Sequence, residues 1–281
     1  MIEILSEMKS DTLEQLARFK FLTVSQLVRL GVAKHKNNVR EALQDLRKQG
    51  ITNQKEYAVS AKYGKLENVH FLTEKGAKLT AEALRFDITQ VQYPKSLNTF
   101  FFHDYQHRIN MIDTQIAYLN WIESSDRISK KIEAYYFTTG STRNSTKTGK
   151  LQRQTKIELS NNSSFDPDSV FIYQSEQSTV LALLEMCNGD KTKRIIEKIV
   201  MYLQAFNEKA PQRHYQTDEN RGYYMLFVFE KASIMQATIE RLKQNTAVLE
   251  YQKFLLFKEL AKVAPFGSDW ITLEGELVTL K

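Results

Sequence analysis

The run Leu181-Ala-Leu-Leu-Glu-Met186 is the feature that most restricts how this chain folds. Apolar residues on both sides of Glu185 imply a buried strand. A carboxylate in such a strand must be paired or metal-bound, because an isolated buried charge is strongly disfavoured. The segment Asp168–Tyr173 also reads as a strand, and Ser175-Glu-Gln-Ser178 reads as the turn of a hairpin joining it to Thr179–Met186. Asp168 and Glu185 are then equidistant from the turn centre, so they stand opposite each other on one face. Opposed β-carbons lie about 4.5–5.5 Å apart, close enough for two carboxylates to hold one cation. Hard oxygen donors beside basic residues suit Mg²⁺ or Mn²⁺ better than zinc. Such an ion would polarise a phosphodiester and activate an attacking water. Pro167 fits the strand start, where its missing N–H costs little. A bulge or one-residue slip would break the arrangement. The alternative is that Asp168 ends a turn and Glu185 is a strand-edge carboxylate paired with a lysine.

Residues 10–80 read as helix, helix, helix, hairpin, helix. Leu13, Leu16 and Ala17 carry the first helix, with Ser10 as its candidate cap. Thr23-Val-Ser-Gln26 has the capping-box pattern, and the helix it opens stops at Gly31. A third helix runs from about Lys36 to Gln49, buries Val39, Leu43 and Leu46, and ends at Gly50. Ile51–Ser60 and Glu67–Leu72 read as strands around Ala61-Lys-Tyr-Gly-Lys65, and Thr73 opens another helix. This is the order of a winged helix-turn-helix. Its third helix would enter the major groove, where Lys34, His35, Lys36, Asn37, Asn38 and Arg40 could reach base edges. Lys62 and Lys65 at the wing would hold phosphates. The alternatives are an ordinary small bundle or a winged helix that binds protein.

The 281 residues suffice for two domains, and 42% hydrophobic with 26% charged residues excludes a mostly disordered chain. The expected division is 1–85 as the winged helix, 86–99 as a linker, and 100–281 as an α/β domain. That second domain begins with a helix over about 100–123, with Ile109, Ile112, Ile116 and Leu119 as its inner stripe. Strands are expected at 132–137, 156–159, 223–229, 254–257 and 270–273, and helices at 193–206 and 232–244. The fold class is therefore α/β (α+β). A single cysteine, Cys187, excludes an internal disulfide framework. The acidic N-terminus lacks a signal-peptide pattern, and no apolar run approaches the ~20 residues of a membrane span. The expected location is the cytoplasm, away from membranes. Net charge is only +6. From Arg127 to Lys156, however, Arg127, Lys130, Lys131, Arg143, Lys147, Lys150, Arg153 and Lys156 face one acid, Glu133. That stretch is either a polyanion contact or a solvated loop.

A winged helix, then Pro167-Asp168, then a strand with a central Glu185, then a helix carrying Lys198-Ile-Val-Met-Tyr202, resembles the replication-relaxation proteins. These include MobC-type plasmid relaxases, whose second domain is similar to the PD-(D/E)xK nuclease fold, a restriction-endonuclease-like mixed sheet. His103-Asp104 also looks like a family feature, and the resemblance spans about residues 10–230. It implies a plasmid or mobile-element relaxase that binds a double-stranded origin and nicks one strand. Asp168 and Glu185 would be metal ligands and Lys198 a third catalytic residue. Residues 138–156 would track the DNA backbone, and other mobilisation or replication proteins would be partners. The nuclease pattern wants Lys two residues after the Glu, where this chain has Cys187. Lys198, Lys191 or Lys193 could supply it instead. The alternative is a non-catalytic replication or regulatory factor with a degenerate nuclease domain.

Lys198 and Tyr202, four residues apart, share a helix face. His103 and His107 have the same spacing, but the Glu of a zinc-protease helix is absent, so at most one would join the carboxylates. Glu133 is a candidate third acid, or it balances Lys130 and Lys131. Tyr135, Tyr136 and Tyr202 are candidate covalent nucleophiles; the alternative for the adjacent pair is one core face and one surface face.

Overall fold

The computed structural model describes residues 6–85, 87–94, 105–126, 155–176 and 178–280, together with the backbone of 128–136. The chain divides into two compact units, residues 1–99 and 100–281.

In the first unit, α1 (Glu7–Phe19) buries Leu13, Leu16 and Ala17. It starts earlier than its apolar spacing suggests: Ser6 takes the cap position with extended backbone, and Ser10 lies inside the first turn with its N–H on the Ser6 carbonyl. The capping box of α2 (Val24–Arg29) forms in both directions. Gln26 N–H donates to Thr23 Oγ1 at 3.2 Å, and Thr23 N–H donates to Gln26 Oε1 at 3.0 Å. Gly31 then takes φ 82°, a left-handed conformation that ends the helix cheaply only in glycine. The next helix, α3 (Lys36–Lys48), buries Val39, Ala42, Leu43 and Leu46.

The strand expected over 51–60 is two strands. β1 (Thr52–Lys55) stops after four residues because its antiparallel partner, β4 (Val69–Leu72), offers only four. Between them β2 (Val59–Ser60) and β3 (Gly64–Lys65) form a separate small hairpin. α4 (Glu74–Leu84) follows, capped by Thr73 Oγ1 accepting from Gly76 N–H at 3.0 Å. Within the stretch expected as a linker, Asp87 caps a 3-10 turn over Ile88–Gln90. Val91 is buried, and Gln92 N–H reaches the Ala17 carbonyl at 2.7 Å. Those residues lie against α1.

The second unit is a mixed sheet with helices. α5 (Tyr105–Ser124) leads to β5 (Ile128–Tyr136), which begins four residues earlier than expected and takes Lys130 and Lys131 into a strand. A two-stranded pair, β6 (Ile157–Glu158) with β7 (Ser164–Phe165), precedes β8 (Ser169–Ser175) and β9 (Thr179–Cys187). Then come α6 (Thr192–Asn207), α7 (Ala210–His214), β10 (Tyr224–Phe229), α8 (Ala232–Lys243), α9 (Thr246–Leu249), β11 (Leu255–Glu259), β12 (Trp270–Ile271) and β13 (Leu277–Val278). Among the described residues the sheet has seven strands in the order β13-β12-β11-β10-β9-β8-β5. β9, β10 and β11 run parallel, and the remaining neighbours are antiparallel. The whole is the mixed α+β architecture expected from the alternation of helical and strand patterns.

Alternation along β9 sends successive side chains to opposite faces. Leu181, Leu183 and Cys187 join Ile195, Ile199, Tyr202, Phe227 and Ile239 in one core beneath α6 and α8. The opposite face meets α5. There Tyr118 stacks on Phe171 at 3.8 Å, and Gln115 Nε2 donates to Ser169 Oγ at 3.0 Å. The stripe expected on α5 is too narrow. Arg108, Asn110, Thr114 and Gln115 are buried along with Ile112, Ile116 and Leu119, whereas Ile109 is only half-buried.

Candidate functional site

The β8–β9 ladder pairs Gln174 with Thr179 and ends with Ser169 opposite Leu184. One step further in the same register, beyond the end of β8, stand Asp168 and Glu185. No bulge or slip intervenes. Both are almost completely buried, at 5% and 4% exposure. Because β9 lies inside the sheet, between β8 and β10, Glu185 is not an edge residue.

Each carboxylate oxygen has a protein donor. Asp168 Oδ2 accepts from Met186 N–H at 2.8 Å, and Oδ1 lies 3.2 Å from His107 Nε2. Glu185 Oε1 accepts from Lys198 Nζ, and Oε2 from the Tyr202 hydroxyl at 3.1 Å. Lys198 and Tyr202 reach the same carboxylate because they stand one turn apart on α6. His107 comes from α5.

The two acids are held differently. Burial pushes Asp168 up, but the His107 hydrogen bond, the charges of His107 and Lys198, and the Met186 N–H together hold it well below the usual carboxylate range. Burial and the neighbouring Asp168 charge push Glu185 up to about 8, against the opposing pull of Lys198. For Lys198 the charges of Glu185 and Asp168 outweigh burial, so its ammonium is raised and stays charged. Burial raises the Tyr202 hydroxyl and the Cys187 thiol well above their ordinary values, and the nearby acids add to this. Two carboxylates this close share their negative charge poorly.

Among the described residues no group of three or more His, Cys, Asp and Glu side chains is arranged to hold a metal ion. A cation here would rest on the two carboxylates, with water and substrate oxygens completing its shell, as Mg²⁺ tolerates. The crowding of Asp168 on Glu185 is the kind of repulsion that a divalent ion relieves, so the donor set fits.

A cleft of about 570 Å³ opens beside Glu185. Its lining includes His107, Glu185, Asn188, Lys191, Arg194, Lys198 and Phe227. Of the alternative lysines, Lys193 instead points to solvent, 4.0 Å from Glu197. Sequence spacing missed Asn188 and Arg194; the signal for Arg194 was its place four residues before Lys198. His103, Arg143, Lys147, Lys150 and Arg153 lie outside the described residues, as do the side chains of Glu133, Tyr135 and Tyr136 on β5.

In the first unit, Lys34, His35, Lys36, Asn37, Asn38, Arg40, Lys62 and Lys65 are all exposed. Lys36 Nζ lies 3.2 Å from Glu67 Oε1, and Arg40 Nη1 donates to Asn37 Oδ1 at 2.8 Å. Lys62 Nζ contacts the Tyr63 hydroxyl. A second cleft, about 610 Å³, is lined by Arg40, Gln44 and Arg47 from α3, by Gln54, by Lys65 at the end of β3, and by Asn68 before β4. The polar stripe of α3 thus continues past the residues expected at its start. Asn37, Arg40, Gln44 and Arg47 recur every three or four positions along one face.

No curated protein matches the chain, and no solved structure matches it. No described helix is long and apolar enough to cross a membrane. The family model described as replication-relaxation matches residues 13–219, from α1 through α7 and across every residue of the carboxylate cluster. By that match the chain belongs to the replication-relaxation family, which ties it to the replication and relaxation of DNA.

Proposed function

We propose that the chain is a plasmid or mobile-element relaxase of the MobC type. Its first unit, a winged helix-turn-helix, binds double-stranded origin DNA. Its second, a PD-(D/E)xK-like nuclease unit, nicks one strand in the cytoplasm beside other mobilisation or replication proteins. The observation that carries this reading is the register-matched buried pair Asp168 and Glu185 with Lys198 bonded to Glu185. Asp168 and Glu185 would hold Mg²⁺ or Mn²⁺, which supplies Lewis-acid activation of water and phosphodiester. Met186 N–H and His107 orient Asp168, and Tyr202 orients Glu185. Lys198 takes the place that Cys187 leaves without a lysine: its ammonium is within reach of the cleft and neutralises charge there. Lys34–Asn38 and Arg40 would meet base edges, and Lys62 and Lys65 the phosphates.

One observation favours the second reading, a non-catalytic DNA-binding replication factor. All four carboxylate oxygens already have donors, so the cluster also works as a closed polar network. Relaxation of a supercoiled plasmid carrying the native origin, with Mg²⁺, Mn²⁺ or EDTA, separates the two. The expected result is metal-dependent nicking that falls at least a hundredfold in Asp168→Ala and in Glu185→Ala, with origin binding retained. Tight origin binding without nicking in the wild type would select the second reading.

A further inference from the structure

We infer that the cleft beside Glu185 is a seat for a nucleic-acid phosphodiester, gripped at its mouth by Lys191 and Arg194 and walled by Asn188. This deepens the reading of the chain as a DNA-processing protein and does not depend on cleavage. Arg194 and Lys198, four residues apart, share a face of α6, and Lys191 precedes its first turn; all three line the cleft and lead cations from its rim to Glu185. The neighbouring charges are already used: Lys231 pairs with Asp190 at 2.6 Å, and Lys193 approaches Glu197. Lys191 and Arg194 have no such partner among the described residues, and both are exposed. Asp190, the acid at this rim, is neutralised by Lys231. Both polar atoms of the Asn188 amide are shut off from solvent without a hydrogen-bond partner, beside the same cleft. A phosphodiester oxygen that accepts from the Asn188 Nδ2–H would satisfy that unpaired donor. Cations at the mouth and an amide donor on the wall match a phosphodiester entering with its charge toward Arg194 and away from Glu185.

The test is binding of a fluorescein-labelled six-nucleotide single strand to the full chain in EDTA, by anisotropy across a KCl series. The double variant Lys191→Ala with Arg194→Ala is expected to bind roughly tenfold more weakly. The slope of log affinity against log salt should flatten by about 1.4, since each cation contributes ~0.7 on single strands. Asn188→Ala should weaken binding at unchanged slope, and Arg194→Lys should keep the slope. Wild-type affinity and slope in the double variant would overturn the inference, as would failure of the wild type to bind the strand. If strand binding behaves as expected but the plasmid is never nicked, cleavage fails while this seat stands. If nicking is present and the double variant binds like wild type, only the seat fails.

Discussion

His70 shows how much one buried base can weigh. Its backbone exchanges two hydrogen bonds with Leu22, at 2.8 and 3.0 Å, so β4 holds the imidazole inside the first unit at 7% exposure. Burial and the Arg47 charge on α3 lower its pKa to about 4, with Glu67 pulling the other way. An unfolded histidine titrates near 6.5. Above that pH neither state binds the proton; between about 6.5 and 4 the unfolded chain binds it and the folded chain does not. The contribution of the neutral ring is therefore complete above 6.5 and is lost as pH falls, by up to about 3 kcal/mol. The urea midpoint of the first unit's transition is expected to drop from pH 7.5 to pH 5 in the wild type and to drop less in His70→Gln. Equal drops would clear His70 of the effect. At this scale the sequence was legible where chemistry and period coincide. Asp168, Glu185, Lys198 and Tyr202 all follow from strand parity, equal distance from a turn, and helical spacing. Asn188 was not legible, because its burial depends on how the chain leaves β9. Nor was Lys258, whose ammonium is buried against the carbonyls of Pro265, Phe266 and Ser268 on a loop further along the chain.

Elements are fixed by contacts that propensity does not contain. Gly76 lies in the first turn of α4, where propensity alone would favour alanine. A Cβ built there would lie 2.0 Å from the Ile51 carbonyl oxygen, an atom that also accepts from Thr73 N–H at 3.0 Å. The start of α4 and the entry to β1 thus share one crowded backbone contact, and only glycine leaves room for it. Gly76→Ala should destabilise the first unit by roughly 2 kcal/mol or more, read as a lower urea midpoint for that unit. An unchanged midpoint would mean that α4 shifts freely against Ile51. The long elements were readable because several periods repeat: α3, α6, α8 and the β8–β9 pair fall within a residue or two of their expected bounds. By contrast α7, α9 and β13 span five, four and two residues, less than two periods each, and left no pattern to find. β1 through β3 were blurred because the division of 51–60 depends on the length of a partner strand seventeen residues beyond Thr52.

At the scale of the molecule, the family match ends at residue 219, before the strands that complete the sheet. β10 and β11 lie beyond it and run parallel to β9, and Phe227 of β10 lines the carboxylate cleft. The stretch that holds the carboxylate cluster is therefore supported by strands outside the stretch that defines the family. In the proposed reading, net charge does not separate the two units, but the placement of cations does. The first unit offers Arg40 and Arg47 on the open stripe of α3, and the second offers a cleft that reaches Glu185. Recognition and chemistry should then be separable in the full chain. Arg40→Ala with Arg47→Ala is expected to weaken origin-duplex binding and to flatten its salt slope by about 1.8, since each duplex phosphate contact contributes ~0.9. At saturating plasmid it should leave metal-dependent nicking in place. Asp168→Ala should do the reverse, keeping the salt slope and losing the nick. If the arginine pair proves silent in binding and slope, α3 does not meet the duplex, and DNA recognition would have to be sought on another surface of the chain.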